Sequence, residues 1–318
     1  MDPSQLRIEI FAPFGEAFEL TKKILFQPFD LAKWFVIGFA AWLATFFSGG
    51  GFNYNRGWGN HDWNWHWKSD YVGPRFNLQH AAPWVVPVIV AGALFFLAFL
   101  ALLLWLNSRG RFMFTDCIVR NRGAIAEPWR EYRVEGNRYF IFQIVISLCS
   151  MLIFGGLVVI YFLGSYLGHT IVPLALIILF GVGFALVALL VALIMKLAVP
   201  VMYRQRCTAV DAFLAIWQLI LASPGVFILF GLFYLVILVA AAMIGCLAAC
   251  VTCCIAVLPY IGTVILLPVV MVLYAFPLCF LRQFGDPYDV WAVVRPAESL
   301  PPPTAPPIPP VQETPPPV

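Results

Sequence analysis

Two histidines and an aspartate lie close together in the segment GWGNHDWNWHWK, residues 57–68. His61, Asp62 and His66 are residue types that bind metals or carry protons, so this segment is the first candidate for a metal site, a heme contact or a catalytic site. The two histidines are five residues apart with Asp62 between them, a spacing that no common metal signature requires. No cofactor is therefore expected, and the three residues remain the candidates if a metal binds.

The same segment is rich in tryptophan, and three of its tryptophans alternate with polar residues. In an extended chain this alternation places Trp63, Trp65 and Trp67 on one face. Tryptophan is enriched at membrane–water interfaces, where the ring is half buried and its N–H stays hydrated. These three residues and Trp58 are predicted to anchor an aromatic ribbon on the outer face of the membrane. A surface for a partner protein is the alternative.

A second cluster is the stretch CLAACVTCC, residues 246–254. On a helix Cys246, Cys250 and either Cys253 or Cys254 share one face, and thiolates are soft ligands that suit Cu(I) or zinc. The neighbouring residues are small, however, and small residues let membrane helices approach each other closely. The stretch is interpreted as a helix-packing surface, with metal binding as the alternative.

The third candidate group consists of arginines. Residues 108–138 contain seven arginines and four acidic residues. Basic residues near a membrane attract anionic lipid headgroups by about 1 kcal/mol each. Lipid-headgroup contacts are predicted for Arg109, Arg111, Arg120, Arg122, Arg204 and Arg206. The alternative is that these residues only orient the chain and form local ion pairs. Lys196, inside an apolar run, is expected to snorkel to the nearby membrane surface.

The elements that position these groups are predicted to be membrane helices. The 318 residues are 62% hydrophobic and 11% charged, whereas soluble domains are about 45–50% apolar and about 25% charged. A helix needs about 20 apolar residues to cross the hydrocarbon. Six membrane segments are predicted, at 31–49, 83–107, 139–164, 171–201, 225–257 and 258–283. The net charge of +3 is too small to indicate a nucleic acid partner.

The distribution of basic residues predicts the orientation. With the N-terminus inside, 16 of the 19 Lys and Arg residues fall in inner segments and three in outer ones. Basic residues accumulate on the cytoplasmic side of membrane proteins. A bacterial inner-membrane protein with cytoplasmic N- and C-termini is therefore expected, with the loop 50–82 outside and the loop 108–138 inside.

Three inner stretches share an acid followed by a small residue or proline and an aromatic; they begin at Glu16, Glu127 and Asp211. Apolar stripes at helical spacing predict interfacial amphipathic helices within 1–30 and 204–222. The stripes are Phe14, Ala17, Phe18, Thr21 and Leu25 in the first copy, and Val210, Phe213, Leu214, Trp217 and Leu221 in the third. The expected fold is all-α, with six transmembrane helices in 31–285 arranged as three hairpins, each preceded by an interfacial helix.

Residues 286–318 are predicted to form a disordered cytoplasmic tail. Eleven of its last 23 residues are proline, which favours extended polyproline-like chain. The alternative is a docking peptide with PxxP spacing for a protein partner of unknown identity.

Three stretches carry a resemblance to known proteins: RNRGAIAEPWREYRVEGNRYF, VPVMYRQRCTAVDAF and LPYIGTVILLPVVMVLYAFPLCFLRQFG. They resemble a family of uncharacterised six-helix prokaryotic integral membrane proteins. That family is similar to the membrane domain of glycerophosphoryl diester phosphodiesterases. The resemblance covers roughly residues 10–290 and implies the membrane fold. It implies no catalytic residues, and no soluble stretch of the chain is long enough for the phosphodiesterase barrel.

These features favour a non-enzymatic membrane scaffold or accessory component in envelope or lipid-related processes, with membrane lipids as its partners. One alternative is a transporter, channel or flippase for an apolar or lipid-like substrate, because discontinuous helices often line pathways. A membrane enzyme that uses His61, Asp62 and His66 is the other alternative.

Overall fold

The computed structural model describes residues 9–46, 85–166, 171–252 and 258–294. All regular structure in these ranges is helical. The helices are α1 (Phe11–Phe26), α2 (Leu31–Thr45), α3 (Val85–Val119), α4 (Ala126–Glu131), α5 (Arg133–Tyr166), α6 (Ile171–Gln205), α7 (Ala209–Ala222), α8 (Pro224–Val251), α9 (Pro259–Ile265) and α10 (Leu267–Arg282). Two 3-10 turns, Asp286–Tyr288 and Val290–Val293, follow α10.

Four helices, α3, α5, α6 and α8, are long and apolar enough to cross a membrane. They contain 28 to 35 residues, which corresponds to about 42–52 Å of helix. The hydrocarbon core of a bilayer is only about 30 Å thick. Each of these helices is therefore long enough to span the hydrocarbon and still extend beyond it.

The other two predicted membrane segments form shorter helices. The segment 31–49 contains α2, which has 15 residues, fewer than the ~20 of a typical span. The segment 258–283 is divided at Leu266 into α9 and α10. Pro268 occupies the first turn of α10, where the missing N–H of proline is tolerated. In the middle of a continuous helix the same proline would remove a backbone hydrogen bond.

Burial divides three of the long helices, α3, α5 and α6, into two halves. On α3, Leu94 and Phe95 are 62% and 74% exposed, whereas Phe112 and Phe114 are completely buried. On α5 the start of the helix around Tyr139 is buried, and the large apolar residues that follow are exposed. On α6 the order is reversed, because the exposed apolar residues come first and the buried ones begin near Ile194. Bare apolar surface of this extent is typical of helices that face lipid.

The buried halves pack with the shorter helices into one core. α1 lies against α10, and α2 runs beside α3. Asp30 caps the start of α2, and its side chain accepts hydrogen bonds from the N–H groups of Ala32 and Lys33. α7 begins with a capping box, in which Thr208 and Asp211 bond to each other's N–H; such a pair satisfies N–H groups that the first turn leaves free.

The predicted apolar stripes are oriented differently in the structure. On α1, Ala17, Thr21 and Leu25 are buried, but Phe18 is exposed. On α7 the residues that face the protein are Ala209, Ala212, Ile216 and Ile220. Four of the five residues of the predicted α7 stripe point away from the protein: Val210, Leu214, Trp217 and Leu221. α7 therefore carries a second, exposed apolar face.

Candidate functional site

Charged and aromatic side chains gather where α3 and α6 end and α5 begins, in residues 116–135 and 203–206, which we call the charged end. Its centre is Asp116 on α3, a carboxylate that is completely buried. Arg120 Nε lies 3.1 Å from Asp116 Oδ1, and Arg122 Nη2 lies 3.2 Å from Oδ2. The Tyr203 hydroxyl donates to Oδ1 at 3.0 Å. Two arginines and a tyrosine thus compensate one buried negative charge.

A second carboxylate, Glu131 of α4, joins α3 to the residue that follows α6. Glu131 Oε1 accepts hydrogen bonds from Arg120 at 2.8 Å and from Arg206 at 2.6 Å. Arg206 also pairs with Glu135 at 3.2 Å, and its guanidinium lies 4.0 Å from the ring centroid of Tyr132. Arg206 has φ of +54°, a left-handed backbone conformation that is strained for a residue with a Cβ. Its ion pairs and ring contact hold this conformation.

The pKa shifts of Glu131 and Arg120 favour their charged forms. Burial tends to raise the pKa of Glu131, but the hydrogen bond and charge of Arg120, together with those of Arg206, outweigh burial and lower this pKa below its usual value. Burial tends to lower the pKa of Arg120, and the charge of Asp116 with the Glu131 hydrogen bond raises it instead. Groups shifted in these directions stay charged near neutral pH, so they do not serve as general acids or bases there.

A different cluster lies about two turns deeper in the bundle and consists of Arg111, Tyr139, Lys196, Tyr234 and Tyr274; we call it the cation–aromatic cluster. Lys196 does not snorkel outward as predicted. Its ammonium donates to the Tyr234 hydroxyl and lies 4.3 Å from the Tyr234 ring centroid and 5.5 Å from that of Tyr274. Arg111 Nη1 donates to the Tyr139 hydroxyl at 2.5 Å. Aromatic faces stabilise both cations.

Arg109 is held in a third way, between two tryptophans. Its guanidinium carbon lies 4.3 Å from the ring of Trp105 and 4.8 Å from that of Trp129. The side-chain oxygen of Asn137 accepts from both Arg109 and Trp105. Arg109 is buried, so its role in the described structure is to join α3, α4 and α5.

The six arginines predicted to contact lipid headgroups therefore separate into groups. Arg120, Arg122 and Arg206 take part in the ion-pair network, while Arg109 and Arg111 contact aromatic rings. Arg204 is half-buried in the last turn of α6. Lipid contact by these residues stays a prediction, and the ion pairs correspond to the alternative that the sequence left open.

Of the other predicted site residues, the structure describes only two cysteines. Cys246 and Cys250 are exposed on α8, and Cys253 lies outside the described residues. His61, Asp62 and His66, with Trp58, Trp63, Trp65 and Trp67, also lie outside them. Within the described ranges no group of three His, Cys, Asp or Glu side chains could hold a metal ion.

Sequence reasoning missed the tyrosines of both clusters. Tyr203 is 87 residues from Asp116, and Tyr234 is 38 residues from Lys196. No short sequence pattern could therefore predict either contact. Asp116 and Arg120 did carry a signal, because an acid four residues before an arginine forms a favourable pair on a helix.

Comparison with known proteins gives a family and no closer relative. No curated protein and no solved structure matches the chain. No link to the glycerophosphoryl diester phosphodiesterases emerges from these comparisons. The model of DUF7544, a family of unknown function, matches residues 9–294. Because this match covers all four long apolar helices and the charged end, the chain belongs to the DUF7544 family of unknown function.

Proposed function

We propose that this chain is a non-enzymatic, multi-pass component of the cell inner membrane, a scaffold or accessory part in envelope or lipid-related processes. The observation that carries the proposal is the mutual neutralisation of the charged end. Asp116 and Glu131 are each bound by two arginines, so both carboxylates already serve as ion-pair partners within the protein. The resemblance to the membrane domains of glycerophosphoryl diester phosphodiesterases also favours a lipid-related process.

The proposed architecture has six membrane segments as three hairpins, each preceded by an interfacial helix. The helix order supports it, because a short helix precedes two further segments three times: α1 with α2 and α3, α4 with α5 and α6, and α7 with α8 and α9–α10. In this arrangement α2 and α9–α10 are the two shorter segments, and both termini are cytoplasmic. The tryptophans of loop 50–82 would anchor the outer side. The first residues of the tail predicted at 286–318 are ordered instead, because the two 3-10 turns pack against α6 and bury Val290, so we assign the available part of the tail to residues 295–318.

The exposed face of α7 supports contact with the inner leaflet. Val210, Leu214, Trp217 and Leu221 follow helical spacing and are exposed on one side of the helix, and Leu221 is 63% exposed. The adjacent α6 and α8 are long enough to cross a membrane and carry large exposed apolar residues. An apolar stripe beside membrane-spanning helices is typical of interfacial helices.

We expect residue 221 to lie in lipid and residue 218 to face water. An environment-sensitive fluorescent amino acid at 221 should emit at shorter wavelength and be quenched by brominated lipids in liposomes. The same amino acid at 218, an exposed glutamine on α7, is the matched control and should be quenched by aqueous iodide instead. Iodide quenching at 221 equal to that at 218 would exclude the interfacial position, and hydrolysis or transfer of a lipid by the purified protein would contradict the non-enzymatic role.

The second candidate function is a transporter, channel or flippase for an apolar or lipid-like substrate. The break between α9 and α10 at Leu266 favours it, because discontinuous helices supply backbone groups to a pathway. Movement of a fluorescent lipid between leaflets of liposomes that contain the protein would support this candidate over the scaffold.

A further inference from the structure

Three exposed arginines in and beside the charged end take part in none of its ion pairs. They are Arg130 on α4, and Arg133 and Arg138 on α5. In the ranges that the structure describes, no carboxylate lies within ion-pair distance of these three guanidinium groups. Because their side chains are on the surface, an anion from outside the chain can reach them without entering the protein.

Arg138 differs from Arg133 in the face of α5 on which it lies. Val134, Ile141 and Leu152 are exposed large apolar residues of α5. At 3.6 residues per turn, all three lie within about 60° of Arg138 around the helix axis, whereas Arg133 lies about 140° away from it. Arg138 is therefore the arginine that shares a face with the bare apolar stripe of α5.

The length of α5 places Arg138 at the level of lipid headgroups. Residues 139–164 contain no charged side chain. The helix ends at Tyr166, an exposed residue of a type that is enriched at membrane interfaces. Arg138 and Tyr166 are about 42 Å apart along the helix axis, and a bilayer is about 40–45 Å thick when its headgroup regions are included. With Tyr166 in one headgroup region, Arg138 lies in the other.

The first turn of α7 lies near Arg138. Hydrogen bonds from Thr208 lower the pKa of Asp211, and the charge of Arg138 adds to this shift. In the described structure no ion pair joins the two residues, because the Asp211 carboxylate accepts from the N–H and hydroxyl groups of Thr208 at 3.2 and 2.6 Å instead. The rings of Phe142 and Phe213, 5.7 Å apart, connect the same two helices. Since interfacial helices lie at the boundary of headgroups and acyl chains, α7 indicates the same level for Arg138.

We propose that Arg138 binds the phosphate of an anionic phospholipid in the inner leaflet. Its guanidinium presents a planar fork of N–H donors that matches phosphate oxygens, and the acyl chains of the same lipid pack along Ile141 and Leu152. A headgroup with net negative charge binds better than a zwitterionic one, whose ammonium offsets the phosphate charge. The site rests on the proposed lipid-contacting function, and Arg138 is none of the six arginines for which the sequence predicted headgroup contact.

The test uses the purified full-length chain in detergent, titrated with phosphatidylglycerol, phosphatidylcholine or inorganic phosphate. Native mass spectrometry resolves each bound molecule and gives its dissociation constant. The first phosphatidylglycerol should bind the wild type more tightly than phosphatidylcholine does. Arg138→Gln should weaken this phosphatidylglycerol binding about fivefold, the effect of one basic residue near an anionic surface. Arg133→Gln, the matched control, removes an exposed arginine from another face of the same helix and should bind phosphatidylglycerol as the wild type does.

Two further variants keep the test decisive if Arg138→Gln folds poorly. Arg138→Leu extends the apolar stripe and should lose the same affinity, whereas Arg138→Lys keeps the charge and should retain most of it. Unchanged phosphatidylglycerol affinity in Arg138→Gln and Arg138→Leu, or an equal loss in Arg133→Gln, would overturn the site. Equally tight binding of inorganic phosphate would overturn its assignment to a lipid. Each of these results would leave lipid contact by α7 intact, whereas exposure of residue 221 to water would contradict the proposed function itself.

Discussion

Replacing Asp116 with asparagine should destabilise the protein by about 3 kcal/mol, because removing one partner of a buried ion pair leaves uncompensated charge. The substitution would keep the shape of the side chain and remove the charge that Arg120 and Arg122 share. It would also leave the Tyr203 hydroxyl with a weaker acceptor. The unfolding midpoint of the purified variant, measured by circular dichroism in detergent, should fall well below that of the wild type.

Glu127→Gln is the matched control for the Asp116 variant. Glu127 also pairs with Arg122, at 2.5 Å, but its side chain is 61% exposed. An exposed ion pair contributes about 0–1 kcal/mol, so this variant should unfold close to the wild-type midpoint. If Asp116→Asn were as stable as Glu127→Gln, the charged end would not depend on its buried carboxylate.

Gly110→Ala should also lower the free energy of unfolding by about 3 kcal/mol, which is the upper part of the range for overpacked cores. A Cβ at Gly110 would lie 2.5 Å from Leu43 Cβ, 2.7 Å from the Leu43 carbonyl carbon and 2.8 Å from the Ala44 nitrogen. Two of these atoms are backbone, so α2 would have to move away from α3. The movement would also disturb the Asn107 side-chain amide, which donates to the Leu43 and Ala44 carbonyls at 2.7 and 3.0 Å.

Gly92→Ala tests whether the effect comes from packing. Gly92 lies on the same helix, and a Cβ there would meet no atom within 4 Å. Alanine favours helix over glycine by up to about 1 kcal/mol, so thermal unfolding of Gly92→Ala should occur at or slightly above the wild-type midpoint. Equal midpoints for the Gly110 and Gly92 variants would contradict the close contact of α2 with α3.

The long helices could be predicted because hydrocarbon selects for apolar runs of sufficient length. The runs 83–107, 139–164, 171–201 and 225–257 correspond to α3, α5, α6 and α8. The continuation of α3 to Val119 could not be read from this signal, since Asn107, Arg109 and Asp116 are polar. Those residues remain helical because groups on other helices satisfy their side chains. The partners are backbone carbonyls of α2 for Asn107, the side chain of Asn137 for Arg109 and the hydroxyl of Tyr203 for Asp116. The segment 108–138 accordingly contains the end of α3, α4 and the start of α5.

The face of α7 that meets the protein also required the structure. Both of its stripes are apolar, and hydropathy favoured the one with the larger side chains. The structure packs Ala209, Ala212, Ile216 and Ile220 inward instead; small side chains such as the two alanines allow helices to approach closely. The direction of Lys196 was unpredictable for a related reason, because Tyr234 and Tyr274 belong to other helices. Single-sequence reasoning gives the residues that need partners, and tertiary packing decides which partners they receive.

We propose that the bare halves of the long helices lie in the membrane and that the charged end lies on its cytoplasmic side. Labelling with a membrane-impermeant maleimide tests this claim most directly, using Arg130→Cys and Leu152→Cys with the wild-type chain as the baseline. Both positions are exposed in the structure, so burial in protein cannot explain protection of either. Residue 130 should be labelled only in inside-out vesicles, and residue 152 should be protected on both sides. Labelling of residue 130 from outside, or of residue 152 from either side, would contradict the account.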